Sequence, residues 1–365
     1  MIESWLQEAY RSFADALLQG RLPGSVILAA RPGVRGGALA ARCAKLFLCH
    51  SPRGAEPCGE CRSCRMFEEN SHPDFAAILS SNRESALAGA DFVRDVEALL
   101  NNADNGDRRL AVRIENLRRL STFLTESAAA GHGKAAVIAN AHLMPPGAAN
   151  AVLKTFEEPP GGTLIIMLAP SFASLLPTVV SRAFKIRIPE ATPAQAQEYL
   201  NSQGLSDPVQ NAVALCLCGN APVKAAQLAQ EGAVPLTQEC VSYLAAALCN
   251  QAPVDKAVEF LLARKGKDPV ISLTLRELIL REFLNELLQY KAHTPQDKLP
   301  LLGGLDLKLL CQVPAQRLFE AQRTLRFVCD QQPLIPARAP HALLRTWLDS
   351  LRIAAAPGRF EVHSS

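Results

Sequence analysis

The sequence predicts an α/β fold with a parallel sheet, followed by two helical regions, and three observations carry that expectation. Five strand-sized apolar runs alternate with segments of helical spacing, the pattern of a parallel sheet covered on both faces. After "IPEATP" (188–193) the strands stop, and apolar residues recur at helical steps from there on. Four cysteines, Cys49, Cys58, Cys61 and Cys64, fall within sixteen residues as C-x8-C-x2-C-x2-C, which predicts a metal-held knob inserted in the α/β part.

With 365 residues, 48% hydrophobic and 20% charged, the chain has material for two or three domains with real cores and none of the composition of a disordered protein. Its first residues, "MIESWLQEAYRSF", carry early acids and no apolar core of a signal peptide, and the longest apolar runs are too short to span a bilayer. A cytoplasmic protein with no membrane partner is expected. A net charge of +3 is too weak to attract nucleic acid by bulk electrostatics, so any DNA contact is local or shared with partners.

The first strand run, "SVILAA" (25–30), leads into "RPGVRGGALAARCAKLF". A phosphate loop belongs at this place between strand and helix, with amides cradling phosphate, a Lys on the β/γ-phosphates and a Ser/Thr on magnesium. Pro32, Gly33 and Gly36 keep the loop's backbone character, but Gly37 and Ala38 stand where the Lys and the hydroxyl are required. The simple alternative is a glycine-rich turn with no phosphate history. Next comes the cysteine segment. Thiolates are soft ligands, four of them complete the tetrahedron zinc prefers, and C-x2-C steps let backbone turns aim neighbouring sulfurs at one point. Disulfides and an iron–sulfur cluster are the competing readings, and His50 is a substitute ligand for Cys49. The other cysteines, Cys43, Cys216, Cys218, Cys240, Cys249, Cys311 and Cys329, lie among apolar helical residues and read as small buried hydrophobes.

The second run, "DFAAILS" (74–80), precedes a basic helical stripe with Arg113, Arg118 and Arg119, which either meets DNA phosphates or is a solvated face. The third, "AAVIAN" (135–140), ends in "ANAH", where a magnesium-binding, water-polarising acidic cluster would sit in a hydrolysing enzyme. A helix follows, started by Pro145 and Pro146 and stopped by Pro159 and Pro160. "LIIMLAP" (164–170) and "FKIRI" (184–188) complete the strands, with Ser181 and Arg182 just before the last. A small helical domain ends near Gly232, and from about Val234 the chain reads as helix throughout. There Ile271, Leu275, Leu278, Phe283 and Leu287 form an apolar stripe, mostly core, with some surplus for assembly.

In order along the chain, the degenerate phosphate loop, the cysteine segment, "HPD" (72–74), "AANAVLKTFEEPPGGT" (148–163) and "SR" (181–182) closely resemble the delta-prime family of bacterial DNA polymerase III clamp loader subunits, within the AAA+ superfamily. The resemblance covers about 9–226 and continues more loosely beyond; "NAVLKTFEEPP" is its most specific piece. The ATP-hydrolysing gamma/tau subunits share the knob and the "EEPP" segment but carry an intact phosphate loop and an acidic strand end, which this chain lacks. The resemblance implies an AAA+ type α/β domain over 1–188 with a zinc module at 49–64, a helical lid domain over 189–232, an all-α C-terminal collar over 233–355 and a disordered tail at 356–365. It further implies structural zinc, ATP held by neighbouring subunits and not hydrolysed here, and a five-subunit ring with gamma/tau and delta. Within that DNA polymerase III assembly the ring acts on the sliding clamp and on primer–template DNA.

By the same resemblance, Ser181 and Arg182 form the motif whose Arg enters a neighbour's ATP site as a trans arginine finger, with Ala183 replacing the usual Cys. A planar, permanently charged guanidinium suits γ-phosphate oxygens as charge shifts in the transition state. The plain alternative is an Arg on a solvated turn. Lys224 occupies the place of a nucleotide-sensing Arg but reads as a solvated helix residue, and Glu157 and Glu158 read as structural rather than as an acid–base pair. Two rival functions stay open: a self-contained ATPase with an unusual loop, and a zinc-dependent DNA-binding protein using Arg53, Arg62 and Arg65 around the knob.

Overall fold

Apolar runs with no polar alternation require strands covered on both faces, and in the computed structural model β1 (Ser25–Ala29), β4 (Lys134–Ile138) and β5 (Thr163–Ala169) are buried at every position. The structure describes residues 2–80, 83–85, 114–144, 155–156, 158–265, 268–305, 307–310, 312–330 and 339–352. The chain divides into two units, Met1–Tyr199 with Ala221–Lys224 and Leu200–Asn220 with Ala225–Ser365. Arg113, Pro145, Pro146, the rest of the helix segment 145–154, Glu157, Cys311 and the tail 356–365 lie outside the described residues.

The first unit holds a six-stranded sheet in the order β3-β2-β4-β5-β1-β6, where β2 is Phe75–Ser80, β3 Arg83–Ser85 and β6 Phe184–Arg187. Five strands are parallel and match the five apolar runs. The sixth, β3, pairs antiparallel on the edge through Ala77↔Ser85 and is an addition to the expected sheet. In a parallel sheet residues alternate between faces. Ile27, Ala136, Ile138, Ile165 and Met167 share one core cluster with Leu117, Leu120 and Leu124 of the helix Ile114–Thr125. The helix α2, Gly36–Leu48, packs on β1, β4 and β5. Phe156, from the "EEPP" segment, is buried in the same cluster, and its carbonyl accepts a hydrogen bond from Ser25 Oγ at 2.6 Å, so that segment is a brace for β1. Glu158 beside it is exposed.

Also at the amino ends of the strands, Asp74 is fully buried just before β2. Its two carboxylate oxygens accept the backbone N–H groups of Ala129 (2.8 Å) and Ala130 (2.7 Å), and Lys134 Nζ lies 3.5 Å away. The same ammonium sits 4.0 Å from the centre of the Phe123 ring. One acid thereby fastens the turn before β4, the start of β4 and the helix Ile114–Thr125 to β2.

The second unit is helical, as expected, apart from a two-stranded pairing of Arg264–Lys265 with Asp268–Pro269, which corrects the expectation of helix throughout. Its long helix Leu273–Lys291 starts at Ser272, whose hydroxyl caps Leu275 N–H at 3.1 Å, and buries Leu275, Leu278, Phe283 and Leu287 as the stripe predicts, with Ile271 buried just ahead of the cap. Glu286 on that helix is buried too. It accepts N–H bonds from Leu301 and Leu302 (3.0 Å) and lies 3.2 Å from Cys216 Sγ, with burial raising its pKa. Cys216, Cys218 and Cys249 are half-buried, unlike the fully buried Cys43, Cys240 and Cys329; Cys216 in particular trades apolar packing for the Glu286 contact. Among the described residues, no single helix is long and apolar enough to cross a membrane.

Removing the Asp74 carboxylate leaves a buried ammonium and two N–H groups unpaired. Asp74→Ala is expected to destabilise the first unit by about 3–5 kcal/mol, read from the shift in denaturant midpoint. A loss below about 1 kcal/mol, the scale of an exposed pair, would remove Asp74 from this role.

Candidate functional site

The four cysteines converge. Cys49 follows the last residue of α2, Cys58 and Cys61 lie on the intervening turn, and Cys64 is in the first turn of α3, Arg62–Glu68. All four Sγ atoms lie within 4.8 Å of one another, with Cys49–Cys58 at 3.5 Å and Cys58–Cys64 at 3.9 Å. Tetrahedral ligation with metal–sulfur bonds of about 2.3 Å requires sulfurs about 3.8 Å apart, so the set fits a metal ion. Backbone N–H groups point at the sulfurs: Cys58 N at Cys49 Sγ (3.3 Å), Cys61 N at Cys58 Sγ (3.3 Å) and Cys64 N at Cys61 Sγ (3.4 Å). Hydrogen bonds from Cys61 and Glu60 pull the Cys58 thiol down to about 6, toward the thiolate a metal needs. Burial pushes the Cys49 and Cys64 thiols up, a cost that a bound divalent cation offsets. His50 is outside this set; its ring lies against His132, with centroids 5.0 Å apart.

The knob is moored to the helices of its own unit. Tyr10 of α1, Gln7–Leu18, donates its hydroxyl to the Ala55 carbonyl at 2.7 Å, and Arg42 of α2 lies over the Tyr10 ring while pairing with Glu56. Lys45 pairs with Glu68, and Arg53 with Glu60. Arg62 and Arg65 are exposed. Of the three arginines suggested as DNA contacts, Arg53 already faces a carboxylate.

At the carboxyl end of β1 the chain makes the loop anticipated as a phosphate-loop relic. Gly33 has φ +79, and a Cβ there would lie 2.9 Å from Ala221 Cβ and 3.0 Å from Lys224 Cβ, so only glycine fits. Lys224 is half-buried against this loop rather than solvated. Gly36 and Gly37 open α2 and are both buried; a Cβ at Gly36 would lie 2.7 Å from that of Ala30. The cationic side chains of the loop are committed elsewhere, Arg31 to Glu190 and Arg35 to Glu3 at 2.7 Å. Trp5 donates its indole N–H to the Val34 carbonyl at 3.0 Å and seals the loop from the N-terminal side. Asn140, at the end of β4 where an acid was looked for, is fully buried in a left-handed conformation, and its side-chain amide makes no hydrogen bond among the described residues.

Ser181 and Arg182 end the short helix Pro177–Arg182, immediately before β6, with both side chains exposed. They close a helix and lead, through Ala183 alone, into β6. The support beneath them is firm: Leu175, Val179 and Ala183 belong to the buried core cluster, and Ala183 N–H donates to Val179 O at 3.2 Å. Ala183, where the resemblance implies a Cys, is buried. Glu3, Trp5 and Tyr10 escaped the sequence reading, since their partners lie 29 to 45 residues away and no local spacing announces them.

Comparison with known proteins places these features. The chain is 29% identical over 202 residues to DNA polymerase III subunit delta' of Pseudomonas aeruginosa, covering 55% of this chain and 54% of that one. It is also 29% identical over 231 residues to DNA polymerase III subunit delta' of Yersinia pestis, covering 62% and 61%. The matched region spans between half and two thirds of those relatives. A solved structure of a DNA polymerase III gamma-subunit-related protein from Thermotoga maritima aligns over 94% of this chain and 98% of its own at TM-score 0.45 and 14% identity. The sequence profile of the family described as DNA polymerase III, delta subunit, matches residues 5–192, more than half of the chain, and includes the knob, the altered loop and Arg182. The chain belongs to that DNA polymerase III delta subunit family.

Proposed function

We propose that this chain is a non-hydrolysing subunit of the bacterial DNA polymerase III clamp loader, working in the cytoplasm as a stator. On this reading 1–188 is an AAA+ type domain with a structural zinc module at 49–64, 189–232 a lid and 233–355 a collar that joins gamma/tau and delta subunits in a five-membered ring. Arg182 enters the ATP site of a neighbouring subunit, and ATP bound next door drives the sliding clamp onto primer–template DNA.

The observation that carries the reading is the loop between β1 and α2. It keeps the place of a phosphate loop while its cations are paired with carboxylates and its Lys and hydroxyl positions hold Gly37 and Ala38. Arg182 supports a trans role because it is exposed on a rigid base, the geometry an incoming phosphate group requires. Phe319 and Phe327, exposed on the helix Ala315–Asp330, supply apolar surface for assembly. The four thiolates fit zinc better than a hard cation, and zinc there replaces the apolar core that so short a segment cannot form.

The isolated chain is expected to turn over no ATP; measurable hydrolysis would favour the self-contained ATPase instead. In a complex reconstituted with its partner subunits, Arg182→Ala at equal assembly is expected to lower DNA- and clamp-stimulated ATPase about tenfold or more. Unchanged turnover with the complex intact would return Arg182 to an ordinary surface role. Elemental analysis is expected to find one zinc per chain, and chelation to release it while exposing Cys49 and Cys64 to thiol reagents. A metal-free chain of the same thermal stability would overturn the zinc assignment.

A further inference from the structure

We propose that His72 is a positioning residue for the cysteine knob, holding the first and fourth ligands at their separation through Ser63. The inference rests on the reading of the four cysteines as a metal centre and adds to it a specific device in the surrounding shell.

The hydrogen-bond directions follow from the donors available. Ser63 Oγ is 2.6 Å from the Leu48 carbonyl oxygen and 2.9 Å from His72 Nε2, and both side chains are buried. A carbonyl can only accept, so the single hydroxyl proton of Ser63 points at Leu48. Ser63 Oγ must then accept from His72, which puts the imidazole proton on Nε2. The other nitrogen, Nδ1, is left as an acceptor, and it receives the N–H of Asp74 at 3.1 Å. Both nitrogens of a neutral imidazole are used, and burial lowers the pKa of the ring in the same sense.

The chain positions give this pair its purpose. Leu48 immediately precedes Cys49 and Ser63 immediately precedes Cys64, so the bond from the Ser63 hydroxyl to the Leu48 carbonyl ties together the backbone next to two ligands, and His72 holds that hydroxyl in the donating orientation. Those two are the buried ligands, whereas Cys58 and Cys61 are half-exposed on the turn that closes over them. His72 is anchored in turn by Asp74, whose carboxylate is locked to Ala129 and Ala130, and it is flanked by Phe67, which stacks edge-on with Phe75 of β2. The knob is registered to the sheet by this relay, and two sulfurs are set before metal arrives. Outer groups of this kind typically change metal affinity by about 10–100-fold.

The test uses the full chain loaded with zinc, and with cobalt as a spectroscopic probe. His72→Ala and Ser63→Ala are expected to release zinc to a competing chelator about 10–100-fold faster, with one metal per chain and the four-thiolate cobalt spectrum retained at saturation. His72→Gln, which returns a donor near the Nε2 position, is expected to recover most of the retention. His72→Asn, which can serve Asp74 N–H but not reach Ser63, is not. Ser63→Ala leaves the His72–Asp74 contact in place and guards against a His72 variant that simply fails to fold. Wild-type release rates in Ser63→Ala would overturn the proposal while leaving the metal centre standing. A wild-type chain without cobalt–thiolate absorption would overturn both.

Discussion

The buried carboxylate of Asp74 is the constraint on which the first unit depends. A charge with no exposure is tolerated only where hydrogen bonds and a counter-charge replace water, and Asp74 has two amides and Lys134. Because those partners come from the turn before β4 and from β4 itself, the acid sets the register of β2 against β4 at their amino ends. Asp74 N–H also fixes the His72 ring, so the same residue reaches the cysteine knob. Sheet, helix Ile114–Thr125 and knob are parts of one polar frame laid over an apolar core.

At the carboxyl ends of the strands the design is different. Open parallel sheets place ligands there, where the direction of strand order changes, and β1 lies between β5 and β6 at such a point. Packing, rather than ligand-directed charge, fills the place. Gly33 touches the segment Ala221–Lys224, Trp5 holds Val34, and Arg31 and Arg35 are spent on carboxylates. Arg182 lies outside this loop, exposed at a helix end that Val179 and Ala183 hold.

Much of this was legible because it is local. Five strands were readable from apolar runs, four of them continuous and the fifth, β6, alternating with the exposed Lys185 and Arg187, and their ends fell within about two residues of the structure, the usual uncertainty of such boundaries. The convergence of the four cysteines was readable because C-x2-C spacing is itself a geometric constraint. β3 was hidden because its sequence, Arg83–Ser85, is polar and an edge strand needs little burial. The pairing of Arg264–Lys265 with Asp268–Pro269 was hidden for the same reason. The moorings of the knob were hidden by distance along the chain: Tyr10 meets Ala55, and Ser63 meets His72, with nothing in their surroundings to announce it. Half-burial of Cys216 was misjudged because its neighbour Glu286 is seventy residues away.

Asn140 has a consequence for the history of such a chain. On the proposed reading, regaining hydrolysis would require a Lys at 37, a hydroxyl at 38 and an acid at 140. An aspartate at 140 would introduce a charge at a fully buried position whose present amide finds no hydrogen-bond partner among the described residues. The step at 140 would therefore weaken the fold unless a bound metal or nucleotide repaid it, and selection would meet a loss of stability there alongside any gain in activity. On that reading the position at the end of β4, and not the phosphate loop alone, makes a return to hydrolysis costly.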